Sequence, residues 1–213
     1  MAPVTMPVTT PVTMPVMVPV LGFASASAAD PATFSRNAPS FYADPVAWLV
    51  ATAVGRAVER CDHELTRVRD DVGVVVLSEV ATLTTMRAIA AGAARGRVSP
   101  IRFAGASPGL LAGLTCLRWK FRGPNLMLSM SPADGAGPAV AVVRGWLASG
   151  AARSVVLGAH FVSDGGVHVA NCAIVGAGEP RDVRPLLTRP PTPTPTPTQT
   201  QTPAPTPAPT SSG

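Results

Sequence analysis

The chain has 213 residues, of which 46% are hydrophobic and only 5% aromatic, and it carries a formal charge of +5 at pH 7. That length holds one domain, or one domain with tails. Its basic residues are scattered and all but Lys120 are arginine, so the arginine cluster with interleaved aromatics that marks a nucleic-acid surface is missing and no nucleic-acid partner is expected.

Residues 1–41 open with "MAPVTMPVTTPVTMPVMVPV", a repeat with proline at 3, 7, 11, 15 and 19. Each proline removes a helical N–H and clashes with the preceding turn, so the run cannot cross a membrane as a helix. An extended, disordered leader and no membrane contact are expected. "LGFASASAAD" is similar to the end of a secretion signal, but the first Arg is Arg36 and Pro15 and Pro19 interrupt the apolar stretch. A cytoplasmic location is therefore the expectation, with a secreted module on a Pro/Thr stalk as the other reading.

The folded candidate is residues 42–180. Asp44-Pro45 gives an N-cap followed by proline at the first helical position, and Val46, Leu49, Val50, Val54 and Val58 form one stripe behind it. "CDHELTRVRDD" is a polar connection. Val72 to Ser78 is a β-branched run without alternation, which predicts a strand buried on both faces. A helix is predicted from Thr84 to Arg95, stopped at Gly96. Ser107-Pro108 repeats the cap signature and predicts a helix with Leu110, Leu111, Leu114, Leu117 and Phe121 on its apolar face.

After the Gly123-Pro124 turn, Asn125 to Met130 is predicted as a strand, Pro138 to Ser149 as a helix stopped by Gly150, and "RSVVLGAHF" as a strand. "VHVANCAIVG" forms another beyond the Asp164-Gly165-Gly166 turn. Strands alternating with helices predict an α/β layered domain with a mixed, mostly parallel sheet. Residues 181–213, with nine prolines between 190 and 209, are expected to be a disordered Pro/Thr tail.

Cys61, Cys116 and Cys172 are odd in number, form no C-x-x-C and have no histidine at ligand spacing. Neither a disulfide framework nor a metal site follows, and no cofactor motif is present; "GAGEP" lacks the helix a phosphate loop needs. Cys116 and Cys172 read as small core hydrophobes. His63 belongs to a charged loop, and Trp119 with Lys120 and Arg122 forms a basic edge.

"SPIRFAGASPGLLAGLTCLRWKFRGPN", "VVRGWLASGAARSVVLGA", and "DPVAWLVATAVGRAVERC" followed by "DVGVVVLS" together resemble the N-terminal half of the β-ketoacyl synthases, the thiolase-like condensing enzymes of fatty-acid and polyketide assembly. The resemblance covers residues 42 to 178 and implies a thiolase-like half-domain. In that family the strand after Gly-Pro ends in a sharp turn carrying a nucleophilic cysteine. Counting from Gly123-Pro124 and back from Gly135 places that position at Pro132. Proline has neither the thiol that accepts an acyl chain nor the N–H that helps to hold an oxyanion. The two family histidines come from a second half-domain, and His160 and His168 lie too near Pro132 in sequence to match them.

Ser131, or a cysteine after rearrangement, is the substitute nucleophile of a second reading, but "LSMSPADG" lacks a G-x-S-x-G elbow, and capping suits the Ser131 hydroxyl better. Asp134 suits a helix N-terminus. His160 and His168 read as structural. The resemblance thus implies a degenerate ketosynthase-like subunit that does not condense acyl chains alone. It would pair with itself or with an active ketosynthase through Asn125 to Met130, as the cysteine-less chain length factors pair, and an acyl carrier protein is a further implied partner. Acyl transfer or hydrolysis with a non-standard nucleophile is the second reading.

Overall fold

The structure, a computed structural model, describes residues 15–188 apart from 37–39, 41, 62–64, 66 and 98. The readings of residues 1–14, His63 and 189–213 lie outside the described residues. One sheet contains β1 (Met17–Ala28), β2 (Val72–Ser78), β3 (Asn125–Leu128), β4 (Ser154–Val162) and β5 (His168–Asp182), in the order β1-β5-β4-β2-β3. β2 pairs in parallel with β3 and β4, whereas β5 is antiparallel to both β4 and β1. The sheet is therefore mixed, its parallel part built around β2. All seven β2 residues are buried, as the unbroken β-branched run predicts for a central strand.

Side-chain alternation divides the core into two layers. Val72, Val74 and Val76 face α1 (Pro45–Glu59) and α4 (Leu110–Trp119), together with Val156, Cys172 and Ile174. Val75 and Leu77 face the other way, with Val155, Leu157 and Ala173, against α5 (Pro132–Ser149) and α6 (Arg184–Thr188). Helix α1 starts as predicted: Asp44 Oδ1 accepts from Val46 N at 2.8 Å, and Pro45 is the first helical residue. Its burial exceeds one stripe, because Trp48, Ala47 and Ala51 are also covered between sheet and α4. The second carboxylate oxygen of Asp44 accepts from Thr85 N at 3.0 Å, tying α2 (Leu83–Ala93) to the start of α1.

Five expectations are corrected. The disordered leader does not extend through 41, because β1 runs antiparallel to β5 from Met17 to Ala28. Proline-rich sequence is tolerated there because β1 is an edge strand, where a missing N–H can face away from the ladder, and the register shifts beside Pro19. At the other end β5 continues to Asp182 and α6 follows, so the folded part passes residue 180 and reaches Thr188. Ser107-Pro108 forms a turn, with Leu110 N donating to Ser107 O, and α4 begins only at Leu110. Leu117 is exposed and leaves the apolar face that Leu111, Leu114 and Phe121 do build. Trp119, placed on the basic edge, instead packs half-buried against the α1 layer.

Between β2 and α4 lies a short helix, α3 (Pro100–Gly105), which Ser99-Pro100 opens with the same Ser-Pro pattern. Gly166, at φ 75°, closes the turn between β4 and β5 by donating to Ser163 O at 2.8 Å.

Candidate functional site

The turn between β3 and α5 is built from backbone constraints. Met130 N donates to Leu128 O at 2.9 Å, which bends the chain sharply and ends β3 two residues earlier than predicted. Ser131 is then the N-cap of α5, with Pro132 as the first helical residue, so the helix starts six residues before Pro138. Proline suits that position because the first N–H of a helix has no partner within it. Ser131 Oγ accepts from Asp134 N at 3.2 Å and donates to Asp134 Oδ2 at 2.7 Å. This closed exchange occupies the hydroxyl as donor and acceptor, the capping role read from the sequence.

Gly135 seats α5 on the sheet, since a Cβ there would stand 2.5 Å from Leu77 Cδ2 and 3.3 Å from Met130 Cβ. Above the turn is a cavity of about 260 Å³ whose walls include Glu79, Val80, Ser131, Pro132, Phe161 and Val162. The position reached by counting back from Gly135 thus contributes to the cavity wall while itself largely buried, and what it offers there is a pyrrolidine ring. Attack on an acyl group needs a nucleophilic atom and a donor to its oxyanion, and Pro132 supplies neither.

His160 and His168 do not face this turn. His160 follows Val156 and Gly158 on the α1 side of β4, while its neighbour Phe161 lines the cavity on the opposite side. His160 Nδ1 lies 2.8 Å from Ser78 Oγ, which also accepts from Ala81 N at 2.9 Å. His160 Nε2 lies 3.0 Å from His168 Nδ1, and the two rings stack with centroids 5.2 Å apart. With Ser78 donating to Nδ1, the Nε2–H of His160 donates to His168. Ser78 was missed in the sequence; its only signal is a polar residue closing an apolar run.

Burial, and then the neighbouring His168, push His160 down to about 3. Burial also lowers His168, opposed by Asp44 and Asp30. Because the folded state keeps His160 neutral while the unfolded chain protonates near the ordinary 6.5, stability is complete above that pH and falls as pH drops toward 3. Each pH unit in that window costs up to ~1.4 kcal/mol. The urea midpoint is expected to be lower at pH 5 than at pH 7, and the difference to shrink in His160→Gln; equal midpoints in the wild type would refute this role.

The thiols are placed as core residues. Burial raises Cys116 to about 11 and raises the fully buried Cys172 further, which disfavours thiolate in both. Cys61 is half-buried at the end of α1, away from the α5 turn in the opposite layer. Arg122 and Asp70 form only an exposed ion pair at 3.7 Å. Among the described residues, no helix is long and apolar enough to cross a membrane.

No protein-family model matches the chain, and no curated protein matches it. Solved structures do. The ishigamide ketosynthase/chain length factor aligns with a TM-score of 0.57 at 14% identity, over 76% of this chain and 62% of that one. A type II acyl-carrier protein in complex with its ketosynthase bound to the hexaketide gives a TM-score of 0.57 at 15% identity, over 75% and 62%. A ketosynthase in complex with its chain length factor from Xenorhabdus doucetiae gives 0.55 at 12% identity, over 76% and 80%. The chain spans about three fifths of the length of the first two, at 62% each. The described domain therefore has the thiolase-like fold of the β-ketoacyl synthases, the fold implied by the motifs around Gly123-Pro124.

Proposed function

We propose that the protein is a non-condensing, ketosynthase-like accessory subunit of fatty-acid or polyketide assembly. The observation that carries this reading is Pro132 at the first position of α5, the residue that the count from Gly123-Pro124 assigns to the family nucleophile and one with neither thiol nor N–H. The hydroxyl beside it is held by its own helix cap. Structures of the same fold include ketosynthases described together with a chain length factor or an acyl-carrier protein, which supports partners of those kinds.

The contact surface in this reading is β3. It is the sheet edge opposite β1, four residues long, with Leu126, Met127 and Leu128 half-buried and Asn125 exposed. An apolar edge strand with an unpaired side invites a further strand. Asn125→Lys with Ser129→Lys places charge on exposed flanks of that edge without touching the core. The expected result is a dimer, alone or on co-expression with a ketosynthase, that the double substitution returns to monomer in light scattering. A wild type that stays monomeric in both settings, or a variant dimer of unchanged affinity, would remove the β3 contact from the proposal.

A further inference from the structure

The cavity above the α5 turn, of about 260 Å³, has walls of two kinds. Val80, Pro132, Phe161 and Val162 line it with apolar surface, and Glu79, Ser131 and Thr188 bring the polar side chains. Glu79, just past the end of β2, is exposed and makes no hydrogen bond or ion pair with a described residue. Its carboxylate is free to meet a ligand.

The two hydroxyls have already committed their protons. Ser131 Oγ donates to Asp134 Oδ2 at 2.7 Å, and Thr188 Oγ1 donates to Arg184 O at 3.0 Å. What these side chains still offer is oxygen lone pairs, and Pro132 adds no N–H. The polar side chains of the wall therefore accept hydrogen bonds and donate none, the reverse of what a carboxylate or a carbonyl needs. Local charge points the same way. Although the chain carries +5 overall, Glu79 in the wall and Asp134 bonded to Ser131 are both carboxylates. Arg184, a cation beside the turn, is held on the backbone, where its Nη1 donates to Ala133 O at 2.9 Å.

We propose that this cavity binds a small primary alkylammonium ligand. Its N–H groups would meet the Glu79 carboxylate and the hydroxyl oxygens, a charge-assisted set that an anionic ligand cannot form and an alcohol forms only once. Its hydrocarbon body would lie on Val80, Pro132 and Val162, and the Phe161 ring adds a wall on which a cation is also favourable. The volume limits that body to about six carbons, smaller than the drug-sized ligands that fill pockets of roughly 300 Å³ or more. The inference shares its turn with the accessory-subunit reading, but amine binding and dimerisation are measured separately, so either can fail alone.

The test titrates the full chain with n-hexylammonium, n-hexanol and n-hexanoate, which share a body and differ in the head group. Binding is read from backbone amide shifts in NMR. Hexylammonium is expected to saturate, at least about tenfold tighter than either analogue, and to move the amides of Val80, Ala133, Phe161, Val162 and Thr188. Glu79→Gln removes the charge at an exposed position with nearly the same shape, and should bring hexylammonium to within about twofold of hexanol. Circular dichroism checks that the variant folds; if it does not, the head-group preference and the shift map of the wild type decide. Hexanol or hexanoate binding as tightly as hexylammonium, shifts centred outside the cavity, no saturation, or a folded Glu79→Gln chain that keeps the preference would overturn the proposal.

Discussion

Gly123→Ala is expected to destabilise the domain by ~3 kcal/mol or more, a loss that removes much of the stability of an ordinary single domain. A Cβ at residue 123 would stand 2.5 Å from Val72 O, 2.7 Å from Val72 C and 3.0 Å from Gly73 N. All three are backbone atoms at the start of the central strand, so no side-chain rotation relieves the overlap. The chain would have to move away, and the next residue is fixed in place: Pro124 O accepts from Val74 N at 2.9 Å, the first rung joining the turn to β2. Displacing that rung also loosens the Val74–Asn125 to Leu77–Leu128 register that positions β3 and the α5 turn. Gly137→Ala is the control, because its Cβ meets nothing within 4 Å inside α5 and should stabilise the helix by up to ~1 kcal/mol. Urea unfolding of the two variants measures the contrast, and a Gly123→Ala loss no larger than ~0.5 kcal/mol would contradict the packing argument.

The same geometry explains why Gly-Pro is a landmark in the sequence. A glycine forced by backbone contact and a proline that fixes its exit leave a mark in the sequence itself. The β-branched run of β2, the Asp44-Pro45 start of α1 and the Asp164-Gly165-Gly166 hairpin were legible for similar reasons, since each is local chemistry with one dominant outcome. The failures have a common cause in tertiary context. β1 reads as a broken repeat because proline every fourth residue forbids a helix, yet β5 supplies the antiparallel partner that makes it an edge strand. Leu117 has the spacing of an apolar stripe with Leu110 and Leu114, but the covered face of α4 is centred on Leu111, Ala112, Leu114 and Thr115, so Leu117 falls to one side of it and is 61% exposed. The hydrogen-bonded row of Ser78, His160 and His168 depends on β2, β4 and β5 meeting at one end of the sheet, which no spacing announces.

At the candidate site the sequence located the turn and named its residues, but the direction of each side chain needed the fold. Two features near the ends of these strands are kept apart by the sheet. The serine–histidine row lies on the α1 side, and the Ser131–Pro132 turn opens on the α5 side, so the histidines cannot act as base for Ser131 across the intervening strand backbone. The capped hydroxyl lacks a histidine base for the same reason that the buried histidines lack a substrate: adjacent residues His160 and Phe161 point to opposite faces of β4.

Pro132→Cys is accordingly expected to turn an inert turn into a reactive one. The substituted thiol would line the 260 Å³ cavity at the first residue of an 18-residue helix, where unpaired N–H groups and the helix dipole favour thiolate. Cys116, raised to about 11 by burial, is overwhelmingly protonated near neutral pH. Iodoacetamide should therefore label residue 132 of the variant on the order of 100-fold faster than Cys116, as read by peptide mapping of each thiol separately. Exposed to an acyl thioester, the wild-type chain should show no mass increase, because Pro132 has no nucleophile and the Ser131 hydroxyl is held in the helix cap with the Asp134 carboxylate and no histidine beside it. The variant should gain one acyl group at residue 132 and release one equivalent of free thiol from the thioester. An acyl adduct on Ser131 of the wild type would overturn the non-condensing reading in favour of acyl transfer from a serine. A variant thiol as slow as Cys116 would show that the turn no longer presents residue 132 to the cavity.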